Sequence, residues 1–320
     1  MITAQASEGA PEPGIALSII IVTFQARDVV VDCLESICRN PPREPHEVIV
    51  VDNGSTDGTS DILRSRFPEF RLVRILINGP YAVANNEALA LARGRYLCLL
   101  NNDTIVLPQA FDRMLAFLHD HPEAGAVGCR LLNEDGTIQV SVKSLPTAAS
   151  ALFGARSIIT NLFPRNRYAR KQLLHLDCDM MTPLVAGYIS GAACMHPREV
   201  VDKVGGLDKR FFYFVDADYC KRVADAGYKC YYLPTATIVH LNHKGGSRAS
   251  LRERVRRVVD FHVNAYIYYR KHVQQSPWSM MHVVAVGGLF ARFLAALIVQ
   301  ACAEARGVFG SRLTRYRPVQ

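Results

Sequence analysis

Three groups of aspartates in this 320-residue chain stand where carboxylates could do chemistry. Asp52 and Asp57 fall in Asp52-Asn53-Gly54-Ser55-Thr56-Asp57-Gly58. Asp103 closes Leu99-Leu100-Asn101-Asn102-Asp103. Asp216 and Asp218 lie in Val215-Asp216-Ala217-Asp218, after an aromatic run at Phe211 to Phe214. Each group falls in a turn or at the end of an expected element, where a ligand can reach it. Carboxylates so placed suit Mg2+ or Mn2+, which take oxygen ligands and share them with substrate phosphates. An ionised carboxylate there is equally apt as a general base. One aspartate in a turn is ordinarily explained by Asx bonding to nearby backbone. Three groups in one sheet point to a site.

Other chemistries lack their residues. There is no GxxxxGK[ST], no GxGxxG after the first strand, no HExxH and no GxSxG. No helix-turn-helix, zinc finger or aromatic β-sheet motif marks nucleic acid as a partner. The nine cysteines form no CxxC pair and several sit inside apolar runs, a pattern of buried thiols in a reducing compartment.

The elements that must position the aspartates alternate in type. The nearly continuous apolar run Leu17 to Val22 reads as a strand covered on both faces, and Glu47 to Val51, Arg71 to Leu76 and Tyr96 to Leu100 read as further strands. Between them, residues 28–39, 61–67 and 82–93 carry helical spacing, and Gly94 reads as a helix cap. A helix from Pro108 to Leu118 and a strand from Ala126 follow. This βαβαβαβ order predicts an α/β fold, a Rossmann-like, mostly parallel sheet flanked by helices. In such sheets ligands bind beyond the carboxyl ends of the strands. Further on, a hairpin arm at 136–144, a strand at 188–195, a helix at 219–226 and strands at 229–233 and 237–239 are expected. Residues 145–183 show no clear pattern.

In order along the chain, these motifs resemble family 2 glycosyltransferases of the inverting GT-A fold. The likeness is greatest to rhamnosyltransferase-like enzymes of cell-envelope polysaccharide assembly. It rests on Ile19 to Phe24, Val50 to Gly58, Asn78 to Asn86 and Leu99 to Asp103. It continues in Gly205-Gly206-Leu207-Asp208, Phe211-Phe212, Asp216 to Cys220, His240 and Gly246-Ser247. The resemblance implies a nucleotide-diphosphate sugar donor and a lipid-linked or polysaccharide acceptor. It implies donor contacts from Thr23, Phe24, Asp52, Asn53, Asn78, Ala82, Asn86, Asn101 and Asn102. Asp103 would bind Mg2+ or Mn2+, with His240 beside it. Asp216 would be the catalytic base, with Asp218, Gly191, Phe212 and Lys244 in acceptor or secondary roles. The preferred donor is dTDP-rhamnose. The alternative is a GT-A-like protein that binds a sugar nucleotide or polysaccharide without turnover. Three positions depart from the family pattern: Gln25 replaces the usual Asn, Pro80 a Gly and Val215 a Glu.

Charge divides the chain. Residues 240–320 hold 13 Lys or Arg against 3 Asp or Glu, whereas the whole chain carries +8. The basic stretch 252–257 precedes an apolar segment at 280–302 that has Arg292 near its centre. Helical spacing sets Val283, Val286, Phe290, Leu294 and Leu297 on one side, and Ala285, Gly288, Arg292 and Ala296 on another. That arrangement predicts a helix lying on an anionic membrane surface, or a homodimer contact, in preference to a span. The expected organisation is a loose tail at 1–14 without a signal peptide, a catalytic domain at 15–250 and a helical extension at 251–320. The expected location is peripheral, on the cytoplasmic side of the membrane.

Overall fold

The computed structural model describes residues 14–147, 180–242, 251–273, 276 and 278–313. Strands β1 (Leu17–Thr23), β2 (His46–Asn53), β3 (Arg71–Ile75) and β4 (Tyr96–Asn101) run parallel in the order β3-β2-β1-β4. Their crossovers are α1 (Arg27–Arg39), α2 (Thr59–Arg66) and α3 (Tyr81–Leu91). Ile19, Ile20 and Ile21 are all fully buried, as a strand covered on both faces requires. Ile19 and Ile21 join Val30, Leu34 and Ile37 of α1 in the core. Each such side chain contributes about 1.5–3 kcal/mol of burial.

Chain direction changes beyond β4. Short β5 (Thr104–Val106) leads to α4 (Ala110–Asp120), then to β6 (Ala124–Leu132), β7 (Ile138–Gln139) and β8 (Val142–Lys143). After β9 (Leu184–Ala186) and β10 (Tyr188–Ile189), β11 (Ala193–Pro197) inserts antiparallel between β4 and β6. Helices α5 (Arg198–Val204) and α6 (Val215–Asp225) precede β12 (Lys229–His240). This last strand pairs parallel with β6 and antiparallel with β5. The architecture is the expected mixed α/β sheet flanked by helices, with its continuous parallel block in β1 to β4.

Several local expectations change. The two late strands are one, because β12 absorbs Pro234 at a register irregularity between Leu233 and Thr237. The run 188–195 breaks instead into β10 and β11. Helix α4 starts at Ala110, after Gln109 takes φ +64°, so Pro108 lies ahead of its first turn. Helix α6 starts at Val215, which puts Asp216 and Asp218 in a first helical turn rather than in a loop. Gly94 does not cap α3, which ends at Leu91. A Cβ on Gly94 would stand 2.4 Å from the Ser18 backbone nitrogen, so the glycine serves close packing on β1.

The chain divides into two compact units, Met1–Leu145 with Leu173–His243, and Pro146–Gln172 with Lys244–Gln320. In the second, α7 (Leu251–His272) and α8 (Met280–Leu313) pack antiparallel. The Arg292 guanidinium lies 5.1 Å from the Phe261 ring, and His262 meets Phe293 at 5.3 Å. Val283, Phe290, Leu294 and Ile298 are exposed, while Ala285 is buried. The helix contains an apolar stretch, His282–Gln300, of mean hydropathy 2.1 and enough length to cross a membrane.

Candidate active site

The carboxyl ends of β1, β2 and β4 carry one connected polar cluster. Thr23 ends β1 and accepts a 3.0 Å hydrogen bond from the Asn102 amide. Phe24 beside it is exposed. Asp52, at the end of β2, is fully buried. Its Oδ1 accepts from the Ser55 N–H at 2.9 Å, and its Oδ2 accepts from the Ser60 hydroxyl. Asp52 thus shapes the turn behind the cluster. Asn53 clasps Gly79 reciprocally, donating to its carbonyl at 2.9 Å and accepting from its N–H at 3.1 Å. Gly54 takes φ +89°, and a Cβ there would meet the Asn78 nitrogen at 2.7 Å, so only glycine lets the two loops touch. Asn78 is exposed on the rim and Ala82 is buried in α3. Asp57 accepts from Thr59 and from the Arg27 N–H. Partial burial acts to raise its carboxyl, but these bonds prevail and hold it below the usual range.

The departures from the family pattern fit this framework. Gln25 adopts φ +48° and binds Thr56 at both ends of its amide, at 2.9 and 3.2 Å. Pro80 forms the N-cap of α3 at φ −58°, and its carbonyl accepts from Val83 at 2.9 Å. The missing proline N–H costs no helical bond at that position. Val215 is buried at the start of α6.

Asp103 and His240 come together although 137 residues separate them. Strand β12 delivers His240 opposite Thr104, and His240 Nε2 lies 3.2 Å from Asp103 Oδ1. Asn101 Nδ2 is 3.5 Å from the same nitrogen. An imidazole nitrogen facing a carboxylate oxygen fits a divalent cation. Among the described residues no third His, Cys, Asp or Glu joins this pair. Two such ligands leave most of a cation's coordination sites open to phosphate oxygens or water.

Asp216 sits in the first turn of α6, where the helix dipole favours an anion. The break between β10 and β11 brings Gly191 against it, and the Gly191 N–H donates to its carboxylate. A Cβ on Gly191 would fall 2.4 Å from Asp216 Oδ1. Burial among Tyr81, Leu99, Ile189, Cys194 and Leu207 pushes the Asp216 carboxyl above the usual range. The Gly191 bond and the Lys143 charge offset part of that rise. Asp218 has a different job: it accepts from Arg222 Nε at 3.0 Å. Arg222 in turn donates to the carbonyls of Val204, Gly205 and Gly206. Asn86 holds the other side of that loop, donating to the Leu207 carbonyl at 2.8 Å and accepting from its N–H at 2.7 Å. Phe212 is exposed, and Lys244 lies outside the described residues with Gly246 and Ser247.

Three residues given no role in the sequence belong to this geometry. Tyr81 donates to Asn101 Oδ1 at 3.3 Å; burial first, then the charges of Asp216 and Asp103, push its phenol up. Lys143 acts on Asp216 from β8. Gln139 of β7 meets His240 Nδ1 at 2.7 Å. Tyr81 had one usable signal, its place inside the Asn78 to Asn86 motif just ahead of the expected helix. Lys143 and Gln139 had none, because short edge strands carry no periodicity.

Residues 18–203 match the family described as Glycosyl transferase family 2. The chain belongs to that family. This glycosyltransferase is 27% identical over 264 residues to N-acetylglucosaminyl-diphospho-decaprenol L-rhamnosyltransferase of Mycobacterium tuberculosis, spanning 79% of this chain and 83% of the relative. It is 31% identical over 199 residues to O-antigen biosynthesis protein RfbC of Myxococcus xanthus, with 60% of this chain and 14% of that protein covered. Among solved structures it is similar to the mannosyltransferase PcManGT of Pyrobaculum calidifontis, determined in complex with GDP-Man and Mn2+. That match has a TM-score of 0.55 at 20% identity and covers 98% of this chain and 84% of that one. The likeness establishes a shared GT-A fold.

Proposed function

We propose that this glycosyltransferase moves a sugar, L-rhamnose from dTDP-rhamnose, from a nucleotide-diphosphate donor to a lipid-linked or polysaccharide acceptor, with inversion and with Mg2+ or Mn2+. The observation that carries the reading is the meeting of Asp103 with His240 at the strand ends that also bear Thr23, Asn101 and Asn102. The rhamnose donor and lipid-linked acceptor are favoured by the mycobacterial relative, whose name specifies both rhamnosyl transfer and a diphospho-decaprenol substrate.

In this reading Thr23, Phe24, Asn53, Asn78 and Asn102 border the donor, while Asp52 and Ala82 support that wall from behind. Asp103 and His240 would hold the cation, which would supply charge compensation for the departing diphosphate. Asp216 takes the proton of the acceptor hydroxyl. The acceptor oxygen bonds the anomeric carbon as the bond to the donor phosphate breaks, and the nucleoside diphosphate leaves with the electron pair. One base and one displacement give inversion. The raised Asp216 pKa makes the carboxylate a stronger acceptor of that proton while ionised. The exposed apolar side of α8 and the basic C-terminal quarter suit attachment to the cytoplasmic face of an anionic membrane.

Incubation with a panel of nucleotide sugars, lipid extract and Mn2+ or Mg2+, read by mass spectrometry, tests this function. Metal-dependent rhamnosyl product from dTDP-rhamnose is expected. Transfer from another donor alone would replace the rhamnose assignment, and undiminished transfer in excess chelator would remove the cation.

A further inference from the structure

The turn between β6 and β7 is tied by a chain of hydrogen bonds to His240. Asp135 Oδ1 accepts from the Thr137 hydroxyl at 2.6 Å and from the Thr137 N–H at 3.0 Å. The Thr137 bonds hold that carboxyl below its usual range, so it only accepts. The single Thr137 hydroxyl proton is then committed, and the contact of 2.9 Å to Asn133 Nδ2 must run from the amide to the hydroxyl. That orients the Asn133 amide and aims its Oδ1 at Gln139 Nε2, 2.9 Å away. Gln139 also donates weakly to the His240 carbonyl at 3.5 Å. Its remaining oxygen, Oε1, faces His240 Nδ1 at 2.7 Å. Two acceptors do not meet at that distance, so Nδ1 carries a proton; by the same argument Nε2, 3.2 Å from Asp103 Oδ1, shares a proton with that carboxylate in the metal-free protein, and a cation would take that proton's place.

We propose that the β6–β7 hairpin orients His240 through this one-way chain, with Gln139 as a positioning residue that keeps the proton on Nδ1 and turns Nε2 toward a divalent cation beside Asp103. The cation half rests on the reading of Asp103 and His240 given above. The physical logic is general: a ligating histidine whose other nitrogen is held by a hydrogen-bond partner has a fixed tautomer and ring angle. Here the partner is a neutral amide, and its orientation is set three bonds away by a surface carboxylate.

The test uses the full-length protein, free of metal and labelled with 15N-histidine, with the His240 signals assigned by their loss in His240→Ala. A pyrrole-type Nδ1 is expected in the parent. In Gln139→Leu a pyridine-type Nδ1 is expected, with Mn2+ alone binding about 10–100-fold more weakly by EPR. Gln139→Glu, whose carboxylate still accepts from Nδ1–H, is expected to recover the pyrrole-type signal and most of the affinity. Thr137→Val, which frees the Asn133 amide to turn over, is a milder variant expected to move both readouts in the same direction as Gln139→Leu. A pyridine-type Nδ1 in the parent would overturn the proposal. So would unchanged Nδ1 and unchanged Mn2+ affinity in both Gln139→Leu and Thr137→Val. Mn2+ binding undiminished in His240→Ala would overturn the cation half and the site reading beneath it, while the Nδ1 signal would still decide whether the hairpin orients the ring.

Discussion

Asp216 answers two opposed demands. As the proposed base it must be ionised, and as a buried group it resists ionisation. Its folded pKa lies above the unfolded value, so the native state holds a proton more readily than the unfolded chain. The stability this gives is complete below the ordinary carboxylate value of 3.8 and is lost as pH rises through the folded pKa. Asp216→Asn is therefore expected to melt higher than the parent at pH 7 to 8, with the difference closing below about pH 4. The same variant is expected to keep donor affinity and lose about 10²–10⁴-fold in turnover. Thermal melts across pH, paired with kinetics, check both; activity within two-fold of the parent would shift the base role elsewhere. Asp103→Ala should abolish Mn2+-dependent donor binding with the fold intact, which calorimetric titration reads directly. Donor affinity equal to the parent's would remove Asp103 from the cation site.

At the scale of elements, the break between β10 and β11 shapes the surroundings of Asp216. Residues 188–195 form one small, apolar run, and nothing in their periodicity marks an interruption at Ser190 to Ala192. The interruption is imposed by tertiary packing, because Gly191 must yield room to the Asp216 carboxylate. Gly191→Ala is expected to displace that carboxylate and lower turnover by about 10²-fold, with donor affinity unchanged. Steady-state kinetics beside donor titration separate the two. Asn86 illustrates the converse: its motif position suggested a donor contact, whereas its amide is occupied by the Leu207 backbone. Asn86→Ala leaves two buried partners unsatisfied and is expected to cost about 1–3 kcal/mol in denaturant unfolding. The parallel block β1 to β4 was readable because four apolar runs alternate with helical spacing. The antiparallel β11 was not, since an apolar run carries no direction. Asp52 and Asp103 were legible because they close or directly follow apolar strands, and Asp216 because it follows the aromatic run at Phe211 to Phe214. The roles of Gln139, Lys143 and Tyr81 depend on contacts between distant segments.

At the scale of the whole molecule, the charge surplus and the apolar exposed side of α8 belong to the same unit. Arg292 is turned onto the Phe261 ring and away from the exposed stripe of Val283, Phe290 and Leu294. The protein is expected to pellet with anionic vesicles and to be released only in part by salt. Screening shortens the reach of charge from about 10 Å at 0.1 M to about 3 Å at 1 M, while apolar insertion persists. Truncation after His272 should abolish most of the salt-resistant fraction and spare transfer to a soluble acceptor analogue. Equal pelleting of the truncated protein would assign the contact to α7 or the catalytic unit. The central claim is a single displacement assisted by one carboxylate, and the anomeric configuration of the first-formed product tests it most directly. Proton NMR during turnover is predicted to show a glycosidic linkage of configuration opposite to the donor's. A product that retains the donor configuration would contradict the account.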